Sequence, residues 1–419
     1  MIRAPRRAAW LLPALLVCAG MAACARAPLG PYTGPPFAPR PPLTAGGLGA
    51  DSLVVIVYGD SRPGPRMATT PWGLGAIIDA DSREPLSWLW AAANAPVALV
   101  QAIVPQLDGV RDLISSRWTR IYSGGGEARV LRALERETDA ALVVHSGDMV
   151  ENGMRGEQWR RFVERHRTLG GRGAFAAVPG NHERLGSPLG RANWDAAIGT
   201  REETGRYWHV LDLPGGLARF VFLDSNVLAD SKRHYPDSLE APLAEAQLAW
   251  ADSVLGATAA SLKFLVLHHP LVSAGQHFSD WKLDPKGPAS RRGRLLEMCA
   301  RHRVTAVFAG HEHLYQRLYL RGPEGRGFWH ITSGGAGSPL HRISRAERAE
   351  AIGAELPSGY QVVWTRPSSV YHYCRVVLGT GSRPTARLDV RSVDPSGNTT
   401  RMETIDLTAP PTEDAPHVR

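Results

Sequence analysis

Short apolar runs recur along the chain, and each one stops at a corner that is rich in Gly, Asp, Asn or His. Five of these runs lead into the motifs GDSR, GDMVEN, GNHE, HHP and GHEH, at 59–62, 147–152, 180–183, 268–270 and 310–313. A run of about four to eight apolar and β-branched residues that is closed by such a corner predicts a buried strand. The sequence therefore predicts strands that each deliver polar side chains to their carboxyl ends.

Between these predicted strands, apolar residues recur at helical spacing among charged ones, as at Val130, Leu131 and Leu134. Such stripes predict helices that pack one face on a sheet. The predicted helices lie at 126–140, 159–169, 244–255 and 292–303. The alternation of strand and helix predicts an α/β fold built in layers.

Further strands are predicted in the second half of the chain. A hairpin is expected from 206–213 and 217–224, because Pro214 and Gly215 separate two apolar runs. Strands of a second sheet are predicted at 328–332, 362–365, 371–377 and 386–393, with a turn at 394–398. The tail at 409–419 is rich in proline and is predicted to be disordered.

The polar corners carry carboxylate, amide and imidazole groups, which hard and borderline divalent cations accept as ligands. Open α/β sheets bind their ligands at the carboxyl ends of the strands, so a metal site is expected there. The pair His311 and His313 would be a weak signal alone, because two solvated loop histidines explain it as well. Five such corners in series have no comparable structural explanation.

From Leu53 to Arg317, the order GDxR, GDxxEN, GNHE, HHP and GHxH resembles that of the calcineurin-like metallophosphoesterase superfamily. The resemblance implies a four-layer αββα sandwich of two mixed β-sheets with flanking helices, and a metal site at the C-terminal ends of the strands. It also implies an enzyme that hydrolyses phosphomonoesters or small phosphodiesters with water activated by metal ions.

The resemblance further implies two divalent metal ions, which could be Mn, Fe, Zn or Mg. Asp60 and His313 would hold the first ion, and Asp148 would bridge the two. Asn181, His268 and His311 would hold the second ion. Such a pair neutralises phosphoryl oxygens and lowers the pKa of water, as phosphate ester hydrolysis requires.

Several other polar residues receive supporting roles from the same resemblance. His182 would donate a proton to the leaving group, a role that suits an imidazole titrating near neutrality. Glu183 and Asp224 are candidates for orienting the ligands, although each could be an ordinary loop carboxylate. His145 and His269 are expected to be structural or to support the ligands from outside.

Two positions depart from the family pattern. Arg62 stands where most members have a histidine ligand, and a guanidinium has no lone pair for a metal. We expect Arg62 to bind substrate phosphoryl oxygens through its fork instead. Glu151 stands where purple acid phosphatases, which GHEHLYQR otherwise resembles, have a tyrosine ligand, so no iron-tyrosinate site is expected.

The alternative to an enzyme is a binding or scaffold protein on the same fold, whose first metal site has decayed through Arg62.

The first residues predict an export signal. Arginines, an apolar run and small residues follow one another in 1–23, and Met-Ala-Ala-Cys resembles a bacterial lipobox that would lipidate Cys24. A simple cleaved signal is the alternative. Residues 24–50 are rich in Pro and Gly and predict a linker. The protein is therefore expected in the bacterial periplasm or cell envelope, attached to the membrane through lipid.

One metallophosphoesterase domain is predicted at 51–408, with an insertion at about 63–125 that separates Asp60 from Asp148. Within it, 85–107 carries no charged residue. Pro96 and Pro105 interrupt any helix there, and the flanking strands must share a sheet, so a membrane crossing is excluded. A helical flap packed on the domain and an apolar element in the membrane interface both explain this segment.

The charge is mildly positive, with a formal net charge of +8, and three of the arginines belong to the predicted signal. The remaining arginines are scattered, so no nucleic-acid-binding face is expected. This disfavours a third possibility, a metal-dependent nuclease. Cys299 and Cys374 could pair in an oxidising compartment, but they are as easily two buried thiols.

Overall fold

The computed structural model describes residues 29–37, 51–62, 126–170, 174–199, 207–229, 237–273, 275, 277, 280–281, 289–341, 356–357, 359–364 and 367–411. Residues 30–62 and 126–419 belong to one compact unit. The second unit comprises 1–29 and 63–125, of which Leu29 alone is described. The predicted signal, Cys24 and the insertion at 63–125 therefore lie outside the described residues.

The described residues form thirteen strands in two sheets. They are β1 (Ser52–Tyr58), β2 (Ala140–His145), β3 (Ala174–Ala177), β4 (His209–Asp212), β5 (Ala218–Phe222), β6 (Leu262–Val266), β7 (Ala306–Ala309), β8 (Tyr315–Arg321), β9 (Gly327–Ser333), β10 (Gln361–Trp364), β11 (His372–Gly379), β12 (Thr385–Val393) and β13 (Thr399–Asp406). The first sheet has the order β13-β12-β11-β1-β2-β3, and the second has the order β10-β8-β9-β7-β6-β5-β4.

Both sheets are mixed, and their parallel parts carry the predicted site. Strands β1, β2 and β3 run parallel side by side, as do β5, β6, β7 and β9. The motifs GDSR, GDMVEN and GNHE thus leave one edge of the first sheet, while HHP and GHEH leave one edge of the second. The expected hairpin of β4 and β5 is confirmed, with Gly215 and Gly216 at φ 68° and 66° in its turn.

The assignment of strands to sheets differs from the prediction for the C-terminal region. Strands β9 and β10 belong to the second sheet as expected, but β11 and β12 join the first. Strand β11 pairs antiparallel with β1 from Ser52 to Val57 and thereby covers what would be an open edge of β1. Hydrophobic periodicity identifies a strand but carries no information about its partner, so this assignment was wrong.

The space between the sheets is filled by alternate residues of the strands. Val55 and Val57 of β1 belong to this inner core, whereas Val54 and Ile56 face the helices on the other side. Rings stack across β5 and β6, where the centroids of Phe220 and Phe264 lie 4.7 Å apart. Because the parallel strands β1, β2, β3 and β7 are covered on both faces, they read as nearly continuous apolar runs.

Five α-helices flank the sheets in the described part of the chain. They are α1 (Gly126–Leu134), α2 (Gly156–Gly170), α3 (Pro188–Ala197), α4 (Asp237–Gly256) and α5 (Arg291–Arg301). Helix α1 contacts β12 of the first sheet, while α4 and α5 contact β5 and β9 of the second. The two mixed sheets with flanking helices confirm the predicted α/β sandwich.

Sequence signals explain several helix boundaries. Ser187 and Ser290 cap α3 and α5 by accepting hydrogen bonds from the third amide beyond each serine, which satisfies a donor of the first turn. Helix α1 ends at Leu134 rather than at the predicted 140, because Ala140 already pairs with Val54 in the sheet. None of the described helices has the length and apolar character that a membrane crossing requires.

Cys299 and Cys374 are both free and fully buried. Cys299 packs on the helix side, whereas Cys374 lies in the core between the sheets, where its Sγ is 3.6 Å from Ser333 Oγ. Burial raises the pKa of Cys374 to about 12, so the thiol stays protonated and unreactive. Of the two alternatives, the structure supports two separate buried thiols.

Part of the predicted linker packs on the domain. The amide of Gly30 donates to Met154 O at 3.2 Å, and that of Tyr32 donates to Asn193 Oδ1 at 2.6 Å. Phe37 is 7% exposed and its ring lies 4.5 Å from that of Phe175. Proline-rich composition indicated a free tether here, but two aromatic residues supply enough apolar surface to anchor it. We call residues 30–37 the N-terminal strap.

We expect Phe37→Ala to lower the free energy of unfolding by about 3 to 5 kcal/mol, because it leaves a cavity among buried rings. Chemical denaturation of the purified domain measures this change. Leu29→Ala is the matched control, since Leu29 is 52% exposed and its truncation should change stability by less than about 0.5 kcal/mol. Equal effects of the two substitutions would show that the strap is not docked in solution.

Candidate metal centre

Three of the predicted ligands have a left-handed backbone, with φ of 58° at Asp60, 58° at Asp148 and 69° at His311. This conformation costs roughly 1 to 3 kcal/mol for a residue other than glycine and is concentrated at functional sites. A glycine precedes each of the three. A Cβ on Gly310 would lie 2.5 Å from Asp60 Oδ2, so the GH corner of β7 needs glycine to approach the GD corner of β1.

The donors predicted for the second ion converge. His268 Nε2 lies 3.1 Å from Asn181 Oδ1, 3.1 Å from His311 Nδ1 and 3.3 Å from Asp148 Oδ1. His268 Nδ1 is 2.8 Å from the carbonyl oxygen of Ser146, so Nδ1 carries the proton and donates this hydrogen bond. The lone pair of Nε2 therefore faces the other three potential metal ligands. Two imidazoles, one amide oxygen and one carboxylate form a suitable ligand set for a divalent transition metal.

The donors predicted for the first ion, Asp60, Asp148 and His313, also lie within ligand range of one another. Asp60 Oδ1 is buried without a hydrogen-bond partner, and it lies 3.5 Å from His313 Nε2. Burial and the neighbouring Asp148 carboxylate raise the pKa of Asp60 well above its ordinary value. An orphaned buried oxygen beside a second carboxylate fits a site for a cation, which would satisfy both.

Arg62 lies directly beside this first donor set. Its Nε donates to Asp148 Oδ2 at 3.1 Å, its Nη1 donates to Glu151, and its Nη2 is 3.5 Å from His313 Nε2. The guanidinium therefore reaches the predicted metal site, as the expectation of a substrate ligand requires. Glu151, in the position of the absent tyrosine, neutralises the arginine rather than binding a metal with it.

His182 borders the cleft as well. Its Nδ1 lies 2.7 Å from the carbonyl oxygen of Glu151 and donates to it, while Nε2 is 3.9 Å from Asp148 Oδ2. Burial, with a further contribution from Arg62, lowers the pKa of His182 to about 3. The ring is thus neutral in this state, in contrast to the near-neutral titration assumed from the sequence. An anion bound beside Nε2 would favour its protonation.

Glu183 holds the corner that carries Asp148. Its two carboxylate oxygens accept four backbone N–H bonds, from Asp148 at 2.9 Å, Met149 at 2.8 Å, Val150 at 3.2 Å and Gly180 at 2.5 Å. Burial and the neighbouring Asp148 carboxylate raise the pKa of Glu183 to about 8, while these N–H bonds act in the opposite direction. Glu183 therefore fixes the left-handed corner of Asp148 and the GNHE turn relative to each other.

The other supporting residues act at a greater distance from the donors. Asp224 caps the turn at Ser225, whose Oγ accepts the backbone N–H groups of His268 and His269 at 3.2 and 2.9 Å. His145 Nε2 lies 2.9 Å from Ser61 Oγ, on the GDSR corner. These contacts position the corners. The side chains of Asp224, Ser225, His145 and Ser61 belong to neither the first nor the second donor set.

A group of polar side chains around His311, most of them in the segment that follows HHP, was not predicted from the sequence. Asp280 Oδ2 lies 2.5 Å from His311 Nε2, and the ring centroid of His277 lies 4.1 Å from that of His311. Glu312, between the two histidines of GHEH, accepts from Ser273 Oγ at 2.9 Å. The signal available in the sequence was a histidine and an aspartate three positions apart, in a segment with no apolar periodicity.

Part of the chain matches a known protein family. Residues 125–315 match the family model of the calcineurin-like phosphoesterases. These residues, somewhat less than half of the chain, are therefore similar to a calcineurin-like phosphoesterase domain. The family usually holds a dinuclear metal centre, and the two donor sets around Asp148 supply residue groups that could bind such a pair. No curated protein matches the chain.

Three solved structures resemble the chain to different degrees. A purple acid phosphatase from yellow lupin (Lupinus luteus) seeds is 14% identical, with a TM-score of 0.50 over 90% of this chain and 58% of its own. A dimetal phosphatase from Danio rerio is 14% identical (TM-score 0.44, 86% and 99% covered). GAP50, the anchor in the inner membrane complex of Plasmodium, is 15% identical (TM-score 0.44, 87% and 91% covered). At 14% identity, the likeness to the lupin enzyme concerns the fold alone.

We expect Arg62→His to raise bound metal toward two ions per chain and to weaken inorganic phosphate binding. The substitution removes a fixed positive charge beside the first donor set and adds a ring nitrogen. Metal content after dialysis, measured by atomic emission, and phosphate titration test both changes.

Arg62→Lys is the matched control, because it keeps the charge and loses only the planar fork, so its metal content should stay at the wild-type level. Arg62→Ala with unchanged metal content and unchanged phosphate binding would show that the side chain acts on neither.

Proposed function

We propose that this protein is an exported, metal-dependent phosphoesterase that hydrolyses phosphomonoesters or small phosphodiesters. One observation carries the proposal: the donors from five separate corners converge around Asp148, with Arg62 and His182 beside them. A metal-ligand set alone would fit a structural site. The addition of a guanidinium and an imidazole at the same carboxylate supplies the groups that bind and protonate a phosphate ester.

The side chains have different roles in the proposed hydrolysis of a phosphate ester. When bound, a pair of divalent cations supplies charge that neutralises the phosphoryl oxygens and lowers the pKa of water in the cleft. Arg62 is held by Glu151 with its remaining N–H groups near His313, where its fork can bind phosphoryl oxygens. His182 directs Nε2 toward the leaving oxygen, since its Nδ1 is engaged by the Glu151 carbonyl group.

The proposal of small substrates rests on how little of the cleft is exposed. The side chains of Arg62, His182 and His277 are 11%, 13% and 18% exposed, and those of the predicted ligands are almost fully buried. A phosphate group on a slender leaving group can enter such an opening. A nucleic acid duplex would need a wider and more basic groove, so a nuclease remains the less favoured function.

A second candidate function, a binding or scaffold protein with a decayed first site, is favoured by one contact. Arg62 Nε lies 3.1 Å from Asp148 Oδ2 and so competes with a cation for the carboxylate that should bridge the ions. We favour the enzyme, because His182 and the whole second donor set are retained. Metal content near one ion per chain together with no hydrolysis of any phosphate ester would support the scaffold.

We also propose export and attachment to the bacterial cell envelope through lipidated Cys24. The support is the sequence alone, namely the arginines, the apolar run and the Met-Ala-Ala-Cys motif in 1–24. In that setting the substrate would be a small phosphate ester outside the cytoplasm.

His182→Ala should retain bound metal and lose turnover, most of all with poor leaving groups. A nitrophenyl ester needs little protonation of its leaving group, whereas an alkyl phosphate needs much, so kcat should fall further for the alkyl ester. Steady-state kinetics of the metal-loaded variant with both esters measures the difference. Equal losses on the two esters would remove His182 from the role of proton donor.

Cys24→Ser should move the protein from the detergent phase to the soluble fraction. A diacylated N-terminus partitions into detergent because each buried methylene contributes about 0.8 kcal/mol to membrane binding. Phase separation of cell-envelope extracts, followed by N-terminal mass spectrometry, measures this. A wild-type protein that is already soluble, with an unmodified residue after Cys24 at its N-terminus, would refute lipidation.

A further inference from the structure

His311 makes a contact with each of its two ring nitrogens. Its Nδ1 lies 3.1 Å from His268 Nε2, in the donor set of the second ion. Its Nε2 lies 2.5 Å from Asp280 Oδ2, on the opposite side of the ring. A neutral imidazole carries one proton, so a hydrogen bond at one nitrogen determines which nitrogen is free to bind a cation.

We propose that Asp280 is a positioning residue that holds the proton of His311 on Nε2 and so presents the Nδ1 lone pair to the second cation. The inference rests on the proposed function and adds to it a residue outside all five motifs. A carboxylate behind a ligating histidine fixes the ring orientation and raises its basicity. Asp280 would thereby strengthen the cation site without touching the cation.

An alternative use of the same atoms is a third cation site. His269, Asp280 and His311 each offer a donor atom within 4.8 Å of the others. Ligand atoms on one ion lie about 3 Å apart, since bonds from nitrogen and oxygen to zinc are about 2.0 to 2.2 Å long. The 2.5 Å between His311 Nε2 and Asp280 Oδ2 is the separation of a hydrogen bond, not of two ligands.

The segment that carries Asp280 is fastened to the same corner that carries His311. Glu312 accepts from Ser273 Oγ at 2.9 Å and from the backbone N–H of His277 at 2.6 Å. Trp281 is buried, and its indole N–H donates to Pro270 O at 2.8 Å. Asp280 therefore lies between two anchored residues, and its own backbone N–H donates to His277 O at 3.1 Å, which keeps its carboxylate beside the ring of His311.

The test is the affinity for metal, measured without any substrate. Titration of the metal-free protein with Zn²⁺ against a chromophoric chelator should show that Asp280→Asn weakens the tighter of the two ions about 10- to 100-fold. Asp280→Glu should recover part of this loss, because it restores a carboxylate. Asp252→Asn is the matched control: Asp252 Oδ1 lies 2.6 Å from His302 Nε2 on the surface, so the same kind of pair is broken outside the site and affinity should not change.

A spectroscopic readout separates proton placement from general loosening of the loop. In the metal-free wild type, ¹⁵N spectra of histidine-labelled protein should show His311 with its proton on Nε2, and Asp280→Asn should mix the two tautomers. Thermal unfolding of metal-free Asp280→Asn checks that the domain is intact.

The inference is overturned if Asp280→Asn keeps wild-type affinity, or if wild-type His311 carries its proton on Nδ1. It is also overturned if the wild type binds a third ion that both Asp280→Asn and His269→Ala lose. A wild type that binds its ions and responds to Asp280→Asn, but hydrolyses no phosphate ester, would instead refute the proposed function and leave this inference standing.

Discussion

The carboxylate of Asp148 is the contact on which the arrangement of the cleft depends. It is almost fully buried, yet it accepts the backbone N–H of His182 at 3.0 Å, pairs with Arg62 and lies 3.3 Å from His268 Nε2. Burial alone would raise the pKa of Asp148, but His268, His182 and Arg62 lower it well below its ordinary value. Because these partners come from both sheets, one ionised group joins the two edges that the fold brings together.

Placing these ligands requires an unfavourable backbone conformation at three residues. Asp148, Asp60 and His311 all adopt the left-handed conformation, which persists only where surrounding contacts determine it. At Asp148 those contacts are the four N–H bonds to Glu183. Gly147 and Gly310, before Asp148 and His311, leave no side chain where His268 and Asp60 approach from the other sheet. The GD and GH motifs are therefore requirements of backbone geometry as much as of ligand chemistry.

The corners could be predicted from the sequence, because an apolar run that ends in a glycine and a polar ligand is a recognisable pattern. The same holds for the general α/β class, which follows from alternating patterns. Asp280, His277 and Glu312 could not be predicted in this way, because their positions depend on hydrogen bonds within a loop that has no periodicity. The pairing of β11 with β1 was also beyond the sequence, since strands of either sheet have the same buried pattern. The docking of Tyr32 and Phe37 could not be predicted either, because the surrounding prolines indicated a linker.

Because the N-terminal strap is docked, a shorter length of chain separates the domain from Cys24, the predicted site of lipidation. A free linker through residue 50 could have extended roughly 80 Å at about 3.1 Å per residue. With Gly30 fixed beside Met154, only the five residues 25–29 separate Cys24 from the strap. Fully extended, they span at most about 20 Å. If Cys24 is lipidated, this short spacing would hold the strap close to the bilayer surface, which the full length of the linker would not do.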